Sequence, residues 1–239
     1  MTVDATLGAA FERVAARERD AMRAFIPGAA PENSDVAGAP ATAFTLDPLS
    51  VVPPDGDYFV ASGGRGARSF TRDGSLALRD GQLVDASGRT LLGYAQAGAA
   101  LAPISIDPVD LALHRCTDLH VEADGSVVYH RAALDPRSGA RADERVVAGR
   151  LALARFPAGT QPSIEDGLHV GAPPGIVPHV GVAGDASFGM LLPMRRARAS
   201  IDIDASLTKL RQAYIALDAL RAARSADGSL AKTAMDLLK

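Results

Sequence analysis

One stretch of this chain, Asp57–Tyr94, restricts the fold more than any other, because turn-forming residues cut it into short alternating runs. Tyr58-Phe59-Val60 is a β-branched and aromatic run closed by Gly63-Gly64-Arg65-Gly66. Ser69-Phe70-Thr71 ends at Arg72-Asp73-Gly74, and Leu76 and Leu78 alternate with polar or small neighbours up to Asp80-Gly81. Leu83-Val84 ends at Ser87-Gly88, and Leu91-Leu92 ends at Gly93. Asp-Gly between alternating apolar residues is a strong hairpin signal, since glycine reaches φ > 0 without steric cost. The stretch therefore predicts a tight antiparallel meander. It carries no evident chemistry of its own.

At both ends of the chain the period becomes helical. Over residues 4–26, Leu7, Phe11, Val14, Ala21 and Phe25 recur at three- and four-residue spacing, with Arg13, Arg17, Glu18, Arg19, Asp20 and Arg23 on the wet side. This predicts an amphipathic helix, capped by Asp4 or Thr6 and stopped by Pro27-Gly28. From Asp204 to Lys239, Leu207, Leu210, Tyr214 and Leu217 form a seam of 3-4-3 spacing, widened by Ala213 and Leu220. Asp227-Gly228 is expected to weaken or break this second helix, with Ser229 capping a further piece. Helices with lone apolar stripes need a partner in water, so the two pair with each other or with those of neighbouring subunits.

Between the helices, residues 27–45 read as a flexible linker of prolines and small polar residues. Residues 46–193 read as a β-rich domain. Ala123-Asp124-Gly125-Ser126 turns a hairpin between Leu119–Glu122 and Val127–His130, and Val146–Phe156 contains the alternating pair Leu151 and Leu153. A Gly/Pro-rich return follows, with short strands such as Leu168–Val170 and Met190–Leu192. The expected fold class is α+β. An antiparallel β-rich central domain is bracketed by terminal helical regions, 1–26 and 204–239, that pair as a coiled-coil-like layer.

Composition excludes several functional classes. The chain has 239 residues and a formal charge of −3, which leaves no basic excess to neutralise phosphates. Aromatics make up 5% and Trp is absent, which argues against base stacking. No apolar run approaches the roughly 20 residues of a membrane span, and Met1–Asp20 lacks the pattern of a cleavable signal. The expectation is a soluble protein that binds no nucleic acid and inserts into no membrane. The lone Cys116 rules out an intrachain disulfide and reads as a small core residue.

Candidate chemical sites are few. His114, Cys116 and His120, with His130 nearby, bring zinc-type ligands together, but their spacing matches no common site and a second thiol is missing. No Ser or Cys stands with a His and a carboxylate in a recognisable context. Gly63–Gly66 precedes a strand instead of a helix, so it reads as a hairpin turn and not a phosphate loop. Arg195, Arg196 and Arg198 form a basic cluster that reads as a solvated segment before the last helix. The expectation is no enzyme, no catalytic residue, no metal site and no cofactor.

In order and distance, the motifs of the meander resemble those of the rod and hook proteins of the bacterial flagellum. The corresponding residues are Gly56-Asp57-Tyr58-Phe59-Val60, Phe70-Thr71-Arg72-Asp73-Gly74-Ser75-Leu76, Gly81-Gln82-Leu83-Val84 and Gly88-Arg89-Thr90-Leu91-Leu92-Gly93. Pro103-Ile104-Ser105-Ile106, Leu119–Val127 and Gly149-Arg150-Leu151-Ala152-Leu153 are similar to the family's next strands, and Thr233–Leu238 is similar to its closing segment. The resemblance covers roughly Leu46–Leu192 and, more weakly, the last helix. The family's Asn-rich segment after its first helix has no counterpart here, where Pro27–Ala39 stands.

The resemblance implies a structural subunit of the flagellar basal-body rod, exported by the flagellar type III apparatus without signal cleavage and located in the periplasm-spanning rod. It implies helical polymerisation with itself and other rod or hook subunits through the terminal helices. Leu7, Phe11, Val14, Phe25, Leu207, Leu210, Tyr214 and Leu217 are the expected assembly interface. The alternative is a divergent monomeric β-domain module that binds or caps the rod or hook.

Overall fold

The computed structural model describes residues 3–23, 42–63, 66–96, 98–113, 116–134, 141–197 and 203–237. The chain divides into two units, one of terminal helices and one of the β-rich residues between them. Helix α1 spans Val3–Arg23. The β-rich unit begins with β1 (Thr42–Phe44), β2 (Val51–Val52), β3 (Asp57–Ser62), β4 (Arg68–Thr71), β5 (Ala77–Arg79), β6 (Gln82–Val84), β7 (Leu92–Tyr94) and β8 (Ala102–Pro103). A short helix, α2 (Pro108–Ala112), precedes β9 (Cys116–Val121), β10 (Ser126–Leu134) and β11 (Arg141–Arg155). The unit closes with β12 (Ser163–Ile164), β13 (His169–Gly171), β14 (His179–Val182), β15 (Leu192–Pro193) and β16 (Arg195–Ala197). Helix α3 spans Ile203–Leu237.

All described strand pairs are antiparallel, and the main sheet runs β12-β13-β4-β3-β11-β10-β9. Strand β11 is its spine. Its first part pairs with β10, and at its far end Leu153 faces Phe59 of β3 on one side and Gly181 of β14 on the other. This strand starts at Arg141, earlier than the apolar alternation from Val146 foretells, because the polar residues 141–145 pair with Leu134–His130.

The meander forms as its turns dictate. Gly63 N–H donates to the Ala67 carbonyl at 2.7 Å, closing the β3–β4 hairpin where a phosphate loop was discounted. Asp80 and Gly81 both have positive φ (51° and 76°), as a two-residue turn between β5 and β6 requires. At Arg72-Asp73-Gly74 the Thr71 hydroxyl accepts from Asp73 N–H and the Asp73 carboxylate accepts from Ser75 N–H, both at 3.0 Å. A Cβ on Gly74 would lie 1.6 Å from the Val51 carbonyl oxygen, so only glycine lets β2 lie across this turn.

Phe59, Leu76, Leu83 and Leu91 of the meander meet Val51, Ile104, Val121, Val127, Leu151, Leu153, Ala183, Phe188 and Leu191 in one core. Helix α2 has no counterpart in the apolar pattern. It is set by Pro108 at its start and by the Asp107 carboxylate, which accepts from Val109 N–H at 2.8 Å. Asp110, nearly fully buried, anchors it by accepting from the Tyr129 hydroxyl at 2.7 Å and from Arg131 at 3.2 Å.

The helices differ from expectation in two places. α1 is helical from Val3, so Asp4 and Thr6 lie within it instead of ahead of it. α3 runs through Asp227-Gly228 without a break; one glycine costs about 1 kcal/mol in a helix, which the Ala-, Leu- and Lys-rich flanks outweigh. The Pro27-Gly28 stop and most of the expected linker lie outside the described residues, although residues 42–44 form β1 against β16. Among the described residues, no helix is long and apolar enough to cross a membrane.

Candidate functional site

The helical unit is held by a thin apolar seam. On α1, Leu7, Ala10 and Val14 are buried; on α3, Leu217 is buried and Leu210, Ala213 and Leu220 pack around it half-covered. Both sets follow the three- and four-residue spacing of one helix face. Of the eight expected interface residues, Leu7, Val14, Leu210 and Leu217 thus belong to the seam between the two helices. Phe11, Leu207 and Tyr214 remain 45%, 50% and 42% exposed, and Phe25 lies outside the described residues. Met22 and Ile215, each 62% exposed, add to the open apolar surface.

Side chains at the rim of the seam link the helices. The Tyr214 hydroxyl donates to the Glu18 carboxylate, which raises the phenol's pKa. The Arg221 guanidinium sits 5.0 Å over the Phe11 ring. Arg17 lies 3.3 Å from the buried Asp20 carboxylate. The described side chains of this unit thus leave apolar surface open beside charged groups.

Besides Asp110–Arg131, the β-rich unit holds buried ionic ties at Asp57 and around His169 that apolar patterning does not reveal. Asp57 is fully buried, and Arg155 donates to its two oxygens at 2.6 and 2.9 Å. Burial pushes the Asp57 carboxyl up, against the pull of Arg155. The second tie centres on His169, whose ring lies between Asp85 (2.7 Å) and Asp166 (2.9 Å). Arg89 bonds Asp166 at 2.7 Å and Glu165 at 2.8 Å. Burial alone would raise Asp85, but bonds from His169, Ser87 and Arg89 N–H hold it below the usual carboxylate value. These residues sit in polar turns, Asp85-Ala-Ser-Gly-Arg89 and Glu165-Asp-Gly-Leu-His169, whose only sequence signal is local turn chemistry.

The discounted chemical sites resolve as follows. His114 lies outside the described residues. Cys116 is half-buried, and burial together with Asp110 pushes its thiol up, away from the thiolate that binds metal. His130 instead meets Asp143 at 2.9 Å and His120 meets the Asp118 carbonyl at 2.7 Å. Among the described residues no group of three potential ligands converges. Arg195 and Arg196 lie on β16, where Arg196 donates to Ser50 and Asp47 at 3.1 and 3.2 Å; Arg198 lies outside the described residues.

The comparisons with known proteins bear on the β-rich unit. No curated protein matches the chain. Residues 55–129 match the family model described as the flagellar hook protein FlgE/F/G D1 domain. The match takes in the whole meander, α2 and the β9–β10 hairpin as far as Tyr129. Over these residues the chain is similar to that domain, which supports the resemblance to the rod and hook proteins of the bacterial flagellum.

Proposed function

We propose that this protein is a structural subunit of the flagellar basal-body rod that polymerises helically through its terminal helices and performs no catalysis. The D1-domain match supports an axial component of the flagellum. The observation that carries assembly is the apolar surface left open on the helical unit: Phe11, Met22, Leu207 and Ile215. Full burial of such a side chain is worth roughly 1.5–3 kcal/mol, and less for one already half-covered. Association costs at least about 4 kcal/mol, so several of these residues must be covered at once. A helical lattice, where each subunit meets several neighbours, supplies that. Partners are further copies of this chain and other rod or hook subunits. Delivery by the flagellar type III apparatus without signal cleavage belongs to the same proposal.

A specific observation favours a second reading, a monomeric module that binds or caps the rod or hook. The seam residues Leu7, Ala10, Val14 and Leu217 already satisfy one another within one chain. The double variant Leu207→Asp and Ile215→Asp separates the two, because both positions are exposed and the seam is untouched. The rod reading expects motility and rod assembly to be lost while the purified variant keeps its helical signal. Wild-type motility in that strain would rule out polymerisation through this face. A motile strain lacking the whole gene would rule out a required rod subunit.

A further inference from the structure

His169 has no exposed surface, and each nitrogen of its ring meets a carboxylate from a different part of the chain. Nε2 lies 2.7 Å from Asp85 Oδ2, and Nδ1 lies 2.9 Å from Asp166 Oδ1. A neutral imidazole has one N–H and one bare lone pair, so in this cage the lone pair would face an oxygen anion. In a desolvated site that repulsion is costly, and only the doubly protonated ring donates to both partners.

The surrounding charges reinforce this. The Asp85 carboxylate is fixed by the N–H groups of Ser87 and Arg89 and by the Ser87 hydroxyl. Asp166 accepts from the N–H groups of Leu168 and His169. Glu165 accepts from the Ser69 hydroxyl at 2.8 Å and pairs with Arg89. Strand β4 contributes the hydroxyls of Ser69 and Thr71, the latter donating to the Leu168 carbonyl. Three carboxylates (Asp85, Glu165 and Asp166) thus stand against one guanidinium, Arg89, and the imidazolium supplies a second positive charge.

The position in the sheet gives this charge a consequence. β12 and β13 form the end of the main sheet, and β13 is paired to the rest only along β4, His169 with Thr71 and Val170 with Phe70. A terminal hairpin can leave without disturbing the strands beyond β4. We propose that His169 is a charged latch, its imidazolium fastening the β12–β13 hairpin to the Asp85–Arg89 turn, and that loss of one ring proton opens this hairpin while the rest of the β-rich unit stays folded. Opening uncovers the β4 edge at Phe70 and Thr71 for pairing with another strand.

The sign of the pH dependence follows from the partners. Burial would lower the ring's pKa, but the bonds to Asp85 and Asp166 outweigh it and raise it above 6.5. As far as the ring proton is concerned, the latch is therefore closed at about 6.5 and below, while its carboxylates stay charged, and is lost as pH rises through the folded value. Two measurements on the full-length protein test this. The ¹⁵N resonances of His169 at pH 6, below the unperturbed value, should place both nitrogens in the protonated range; one bare nitrogen there overturns the proposal. Amide exchange of residues 163–171, corrected for its intrinsic pH dependence, should speed up roughly tenfold for each pH unit above the ring's midpoint, the slope of a single proton. Residues 126–134 should not follow. A flat profile, or a rise shared by both segments, overturns the latch. His169→Gln should abolish the pH dependence; persistence of the wild-type profile in that variant also overturns it.

Discussion

The β-rich unit and the helical unit bury their apolar residues in opposite ways. The β-rich unit closes a deep core around Phe59, Leu83, Leu91, Leu151 and Leu153, each at most 1% exposed, and adds ionic ties at Asp57–Arg155 and around His169. The helical unit closes only a narrow seam of leucines, alanines and one valine and leaves Phe11, Met22, Leu207, Tyr214 and Ile215 largely open. Both units leave large apolar side chains open, Leu46 and Val177 of the β-rich unit at 83% among them, so the contrast lies in the depth of the core and not in exposure. The β-rich unit contains the residues that the family model matches. The helical unit has little core of its own to hold it.

The sharpest way to break this contrast is at Gly74. A side chain there must displace the Val51 carbonyl, 1.6 Å from where Cβ would sit, and with it β2 and the core residue Val51. Gly74→Val is expected to destabilise the β-rich unit by more than about 4 kcal/mol, among the largest single-residue effects. Urea unfolding followed by tyrosine fluorescence checks it. A loss under about 1 kcal/mol would mean that the turn relaxes freely and the motif glycine is not structural.

Next in size is Leu217, 2% exposed at the centre of the helical seam. Leu217→Ala should cost about 2–3 kcal/mol, the lower part of the range for buried leucine, because so thin a seam collapses easily around a cavity. The readout is loss of helical circular dichroism at lower urea, with exchange protection in β10 and β11 unchanged. Acid should act on the other unit. Asp85 and Asp166 are held below the ordinary carboxylate pKa, so their contribution is present above about 3.8 and is lost as pH falls through the folded values. Exchange in residues 163–171 should therefore rise below about pH 4, by up to tenfold per pH unit for each extra proton taken up. An acid-stable hairpin would show that the ties around His169 are not ionic.

What was legible in the residues follows the same division. The meander could be read because each turn is encoded within four residues, as at Asp80-Gly81 and Arg72-Asp73-Gly74. The ionic ties could not, since Asp57 and Arg155 are 98 positions apart and Asp85 and His169 are 84 apart, and no local pattern links such pairs. The seam of α3 was legible in period but not in phase. Leu207-Leu210-Tyr214-Leu217 and Leu210-Ala213-Leu217-Leu220 share the 3-4-3 spacing, and the structure closes the second against α1. Ala213 permits the close approach, whereas a tyrosine there would force the helices apart and bury a hydroxyl without a partner.

That choice of phase leads to the smallest expected effect. Tyr214 lies at the rim of the seam, 42% exposed, with its hydroxyl donating to Glu18 of α1. Exposed interactions of this kind contribute little, because water competes for both partners. Tyr214→Phe should therefore leave the midpoint of helical unfolding nearly unchanged, while keeping the ring available for a neighbouring surface. If the variant instead loses as much as Leu217→Ala, the helices are held by their polar rim and not by the apolar seam. The open residues Leu207 and Ile215 would then lie on a unit too weakly organised to offer a defined face. A small change at Tyr214 with a large one at Leu217 is the pattern that a preformed helix pair requires, and the proposed assembly through Phe11, Leu207 and Ile215 rests on such a pair.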